Sequence, residues 1–108
     1  MIERVQREFE VPCDLEAAWN HVIDPSWLGE EGELEARPDG EGWVRDHETT
    51  RYLVVEEVDE QRRLVYRWAS FTDAPSLVEI DLAPSGAGTR ISITESPLEA
   101  RAQLVGAR

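Results

Sequence analysis

Cysteine is almost missing from this chain: Cys13 is the single one in 108 residues. An internal disulfide framework is therefore excluded, and a reducing compartment is expected. No apolar run approaches the ~18 residues that a membrane-crossing helix needs. The opening Met1-Ile2-Glu3-Arg4 lacks the basic-then-apolar profile of a secretory signal. A cytoplasmic protein without membrane insertion is the expectation. Positive charge is scarce as well, with 11 Lys and Arg against 23 Asp and Glu and a net charge of -12. Such a field repels phosphate backbones and anionic lipid, so nucleic acid is not an expected partner. The acids are scattered rather than massed, which reads as a well-solvated surface.

Histidine is equally sparse. His21 and His47 are far apart and share no metal-ligand spacing with Cys13. Neither has a placed acid and nucleophile, so no hydrolytic triad can be built. The glycine-containing turn at 85–88 joins two strands and does not open a helix, which rules out a phosphate loop. No catalytic residue, metal or cofactor is expected. Repeats, low-complexity stretches and linkers are absent too, and residues 1–108 read as one domain. A chain of this size buries somewhat under ~70% of its unfolded surface, enough to fold without disulfides or metal.

What is present is alternation. Residues 2–11 read as a first strand, with Val5, Arg7, Phe9 and Val11 in one phase and Gln6, Glu8 and Glu10 in the other. Pro12 stops it, and Asp14 caps a helix whose Leu15, Ala18, Trp19, Val22 and Ile23 form one apolar stripe. Asp24-Pro25 ends that helix and starts a second short one holding Trp27 and Leu28, which Gly29 can close. Strands follow near 33–37, 42–47, 50–59, 63–70, 76–83 and 88–95, separated by turn residues. Short loops between consecutive strands predict an antiparallel meander. Leu64/Tyr66/Trp68, Val78/Ile80/Leu82 and Ile91/Ile93 mark a covered face; Arg63/Arg67, Glu79/Asp81 and Arg90/Ser92/Thr94 mark a wet one. Ser96-Pro97-Leu98-Glu99 is a capping box opening a last helix over 97–108, too short to be stable unless docked.

This order resembles a helix-grip fold, and three segments carry a sharper likeness. Phe9 to Leu28, with Val11-Pro12, Ala18-Trp19 and Asp24-Pro25-Ser26-Trp27-Leu28, is similar to the start of an SRPBCC (START/Bet v 1-like) domain. Val54-Val55-Glu56-Glu57-Val58-Asp59 followed by Arg62-Arg63-Leu64-Val65-Tyr66-Arg67-Trp68 resembles the central hairpin of the branch around the activator of heat-shock protein 90 ATPase. Gly88-Thr89-Arg90-Ile91-Ser92-Ile93-Thr94-Glu95 resembles that branch's final strand. The resemblance implies an α+β fold: a curved antiparallel sheet of six to seven strands, two short helices after the first strand, and a C-terminal helix gripped by the sheet. It also implies a cavity for lipid-like, aromatic or polyketide-like molecules. The final helix over 97–108 is about half the family's usual length, so the expectation is either a sequence cut short or a groove that is open, shallow or completed by a second subunit.

Within that frame the candidate ligand-binding residues are Arg7, Phe9, Trp27, Trp43, Tyr52, Tyr66, Trp68, Ile80 and Glu95. Amphipathic aromatics on one concave face suit a ligand with an apolar body and one polar group, though they equally fill space between sheet and helix. Arg7 and Glu95 are phased inward, where a charge must be paired or reach water. Because first and last strands are neighbours in this fold, the two are expected either to pair, orienting a ligand or bracing the structure, or to bend out to solvent at the strand ends. Three functions stay open. The first is non-catalytic binding of a small hydrophobic ligand, and the second is a protein-interaction module with a protein partner or as a homodimer. The third is a cyclase- or aromatase-type enzyme using Glu95 and Tyr66.

Overall fold

The computed structural model describes residues 4–70 and 74–98. Its elements are β1 (Val5–Val11), α1 (Leu15–Val22), a 3-10 turn (Pro25–Trp27), β2 (Glu31–Leu34), β3 (Glu41–Asp46), β4 (Thr49–Asp59), β5 (Arg63–Ala69), β6 (Ser76–Ser85) and β7 (Gly88–Pro97). The seven strands form one antiparallel sheet in the order β1-β7-β6-β5-β4-β3-β2. The expected meander is present, and β1 returns to pair with β7, Phe9 opposite Ile91 and Val5 opposite Glu95. This is the helix-grip arrangement. Most of the expected final helix lies outside the described residues; Ser96 and Pro97 still belong to β7, opposite Leu77 and Ser76. Among the described residues no helix is long and apolar enough to cross a membrane.

Local chemistry explains the connections. Asp14 caps α1 by accepting from the Ala17 N–H at 2.9 Å. Asp24 accepts from the Ser26 N–H at 2.9 Å, which holds its carboxyl below the usual range. Leu28 N–H then reaches the Pro25 carbonyl at 2.9 Å. The expected second helix is thus one 3-10 turn, since an i to i+3 bond closes it after three residues. β2 begins two residues earlier than expected. Gly29 allows this by letting the chain pass close to β3, where a Cβ would sit 2.6 Å from Val44 Cγ1. Glu30 N–H then bonds the Arg45 carbonyl at 2.8 Å, and the pairing of Glu31 with Arg45 follows.

Alternation sorts the sheet into two faces. Leu53, Val55, Leu64, Tyr66, Val78, Ile80, Leu82 and Ile91 form the core with Ala18, Trp19 and Val22 of α1. Leu64, Ile80 and Val55 are fully buried. The outer face is laced with ion pairs, all made by arginine because the sequence has no lysine. Arg63 donates to Asp81 at 2.8 and 2.9 Å, to Glu79 at 2.9 Å, and lies 3.2 Å from Glu57. Its hydrogen bonds to Asp81 raise its already high pKa further. The ladder slips by one residue between Val55 and Glu57. That bulge lets consecutive acids both serve outer-face arginines, Glu56 with Arg67 at 2.8 Å and Glu57 with Arg63. Thr94, expected to face water, is buried.

Ile80 was a ligand candidate by phase. Its side chain lies at the centre of the core between Leu64 and Ile93, where α1 covers the sheet. Ile80→Ala should cost about 2–5 kcal/mol of unfolding free energy by leaving a cavity. Tyr52→Ala, at an exposed position, should cost far less; urea denaturation of both variants checks the contrast.

Candidate functional site

The distinctive chemistry lies toward one end of the helix-bearing face. On β5, Tyr66 stands between Val55 of β4 and Val78 of β6, and Trp68 stands between Leu53 and Ser76. Glu95 of β7 pairs with Val78, which places it diagonal to Ser76. The Trp68 indole N–H donates to Ser76 Oγ at 2.9 Å and to Glu95 Oε2 at 3.0 Å, and the Ser76 hydroxyl donates to the same oxygen at 2.6 Å. A carboxylate phased toward the core is thereby satisfied by two neutral donors.

Two further groups complete the site. The Arg51 guanidinium lies 4.7 Å from the centre of the Trp68 ring, a cation–π contact that keeps a positive charge beside the apolar face. Tyr66 meets Trp68 edge to face, with ring centres 5.8 Å apart at 78°. The Tyr66 hydroxyl is buried and has no hydrogen-bond partner among the described residues. Burial pushes its pKa well above the ordinary 10.0, the Glu95 charge adds to that, and Arg51 opposes it. The phenol therefore stays protonated at physiological pH as a donor without an acceptor. Beside Arg51 a cleft of about 180 Å³ opens, lined also by Leu28, Val44, Asp46, His47 and Thr49.

The structure brings Tyr66, Trp68 and Glu95 together and disperses the other candidates. Phe9 shares the face but lies on edge strand β1, 43% exposed. Arg7 is exposed and pairs in register with Ile93, not Glu95. The expected Arg7–Glu95 ion pair is absent among the described residues, because Trp68 and Ser76 take the carboxylate from inside the sheet. Trp27 donates its indole N–H to the Val22 carbonyl at 3.0 Å and packs on the core. Trp43 and Tyr52 are opposite each other on the outer face, since their neighbours Val44 and Leu53 point inward. They cannot share a pocket with Trp68. Arg51 and Ser76 were missed. Both have the parity of inward residues, Arg51 with Leu53 and Ser76 with Val78, so the phase test applied to Arg7 and Glu95 would have found them.

Metal-binding geometry was not expected, yet the β2 entry brings Glu30 beside the β3–β4 turn. His47 Nδ1 lies 3.4 Å from Glu30 and Nε2 lies 3.8 Å from Asp46, and all three side chains are exposed. The three offer ligand atoms within 4.8 Å of one another. Two of them, Asp46 and His47, also line the cleft beside Arg51.

The sequence profile described as "Activator of Hsp90 ATPase homolog 1-like protein" matches residues 2–106. No curated protein matches the chain. Several solved structures share the fold. CalU16 from Micromonospora echinospora superposes with a TM-score of 0.74 at 17% identity, covering 89% of this chain and 61% of its own. The present chain thus spans about three-fifths of CalU16's length. Mll3558 from Rhizobium loti gives 0.73 at 22% identity, covering 89% of this chain and 78% of its own. PFC0360w, an HSP90 activator from Plasmodium falciparum, gives 0.69 at 14% identity, covering 87% and 72% respectively. At these identities the likeness establishes the fold.

Tyr66→Phe removes only an unsatisfied hydroxyl, so stability near neutrality should hold or rise by up to about 1 kcal/mol. Because the folded-state pKa lies above the unfolded 10.0, the folded chain retains a proton that the unfolded chain releases. Stability should therefore fall as pH rises past about 10, and Tyr66→Phe should abolish that residue's share of the loss. Denaturant midpoints at neutral and alkaline pH for both proteins provide the check. An identical alkaline slope would contradict the assignment.

Proposed function

The chain belongs to the family of Activator of Hsp90 ATPase homolog 1-like proteins, and from that premise we propose that it binds a small hydrophobic ligand without catalysis. The observation carrying this reading is the Tyr66 hydroxyl, buried beside Trp68, Glu95 and Arg51 and lacking an acceptor. Leaving a buried hydroxyl unpaired costs about 1–3 kcal/mol, which an incoming acceptor oxygen would recover. The ligand is therefore a lipid-like, aromatic or polyketide-like molecule carrying one carbonyl or similar oxygen. Its apolar body would lie along Trp68, and its oxygen would meet Tyr66. A phenol held in its protonated form suits a donor and not a base, which favours binding over proton abstraction. Glu95, already bonded twice, holds the Trp68 indole in place. We place the domain in the cytoplasm, where the lone Cys13 stays reduced.

A second reading, a protein-interaction module, is favoured by edge strand β1. It exposes Val5 (48%) and Phe9 (43%) on the helix-bearing face. The structural likeness to an HSP90 activator is compatible with that reading.

NMR titration with a fatty acid, a sterol and an aromatic polyketide separates the two. Ligand binding predicts movement of the Trp68 indole N–H and of residues flanking Tyr66. Tyr66→Phe should then weaken affinity about tenfold, equivalent to about 1.4 kcal/mol. No movement at high micromolar ligand, with Phe9 as the sole responding aromatic to a protein partner, would overturn the first reading.

A further inference from the structure

The outer face carries a feature that the ligand site leaves unused. Trp43 and Tyr52 stand opposite each other across the β3–β4 ladder, and Tyr52 is 55% exposed. They line a shallow groove of about 450 Å³ with Glu33, Leu34, Glu35, Glu41 and Gly42; of its three carboxylates, Glu35 is paired with Arg37 at 3.0 Å. The groove runs beside β2, a four-residue strand at the edge of the sheet.

Charge distinguishes this patch from the rest of the outer face. Several carboxylates elsewhere on that face meet arginines: Glu10 with Arg90 at 3.3 Å, Glu56 with Arg67 at 2.8 Å, Asp81 with Arg63 at 2.8 Å. Within β2 itself Glu31 pairs with Arg45. Glu33 and Glu41, both exposed, meet no cation among the described residues. Register puts Glu33 directly across from Trp43, and Glu41 two residues before it on the same face. Two uncompensated carboxylates beside two aromatic rings supply both halves of cation recognition, ionic attraction and a π face. A second copy of this chain, at net charge -12, is the wrong sign to fill it.

We propose that the Trp43–Tyr52 groove is a docking surface for an extended, arginine-bearing segment of a basic protein partner. An extended segment places alternate side chains on one side, so every second residue would reach Glu33, Glu41 or the rings. Backbone contact along the short β2 edge is open to the same segment.

The test uses a blocked pentapeptide of alternating glycine and arginine, titrated into the full chain at about 150 mM salt, where screening acts beyond ~8 Å. The Trp43 indole N–H, assigned through Trp43→Phe, should shift. The double variant Glu33→Gln/Glu41→Gln should weaken binding at least fivefold more than Glu8→Gln/Glu10→Gln, which removes the same charge from a distant part of the face. Tyr52→Ser should weaken it severalfold while leaving the Trp68 indole resonance unmoved. A ratio below fivefold between the double variants would mean general attraction to an acidic surface and would overturn the proposal. So would a stationary Trp43 indole, or self-association of the peptide-free chain that Tyr52→Ser abolishes.

Discussion

The arrangement of this protein depends on the register between β5 and β6. Leu64 opposite Ile80, Tyr66 opposite Val78 and Trp68 opposite Ser76 lie in a row on one face of the sheet. The first pairs sit under α1 and make the core; the last pair makes the polar network with Glu95. A slip of one residue would turn every member of the row outward and bring Arg63 and Arg67 under the helix. Core and candidate site are thus one structural decision, with Tyr66 belonging to both.

The opposite face solves a different problem. With 23 acids against 11 bases, the sheet would repel itself if its outward strand positions were left to acids alone. Arginine on β5, β3 and β7 divides those acids into local clusters, and the β4 bulge adds a second acid where Arg63 and Arg67 can use both. Each exposed pair contributes little by itself. Together they favour one register over its neighbours, because a shift would oppose acid to acid. At the Trp43–Tyr52 patch two of the acids, Glu33 and Glu41, meet no cation among the described residues.

Much of the fold was legible before any coordinates. Strand positions in the meander, the Asp14 cap, the Trp19 stripe and the wet Arg63/Arg67 phase all follow from periods of two and 3.6 and from local turn chemistry. That Tyr66, Trp68 and Glu95 share one face was legible, because each shares a strand phase with aliphatic residues. The site was misread at its edges. Trp43 and Tyr52 are large on a face that alternation alone does not label, since Val44 and Leu53 beside them are apolar too.

What the sequence by itself determined is parity: which residues of each strand lie together, where strands stop, and that one face must be covered. Parity is local, set by the pleat and by side chains two residues apart. Tertiary structure alone decided which parity of β3 and β4 meets the helix, and that Arg51 stacks on Trp68. It also decided that Glu95 bonds to the indole and serine of its own sheet face and leaves Arg7 to solvent. Those contacts join residues up to 27 positions apart across several strands. Their geometry depends on register, bulge and sheet curvature, which no single strand carries. The inward charge was visible as a problem in the sequence, and only the folded sheet supplied its partners.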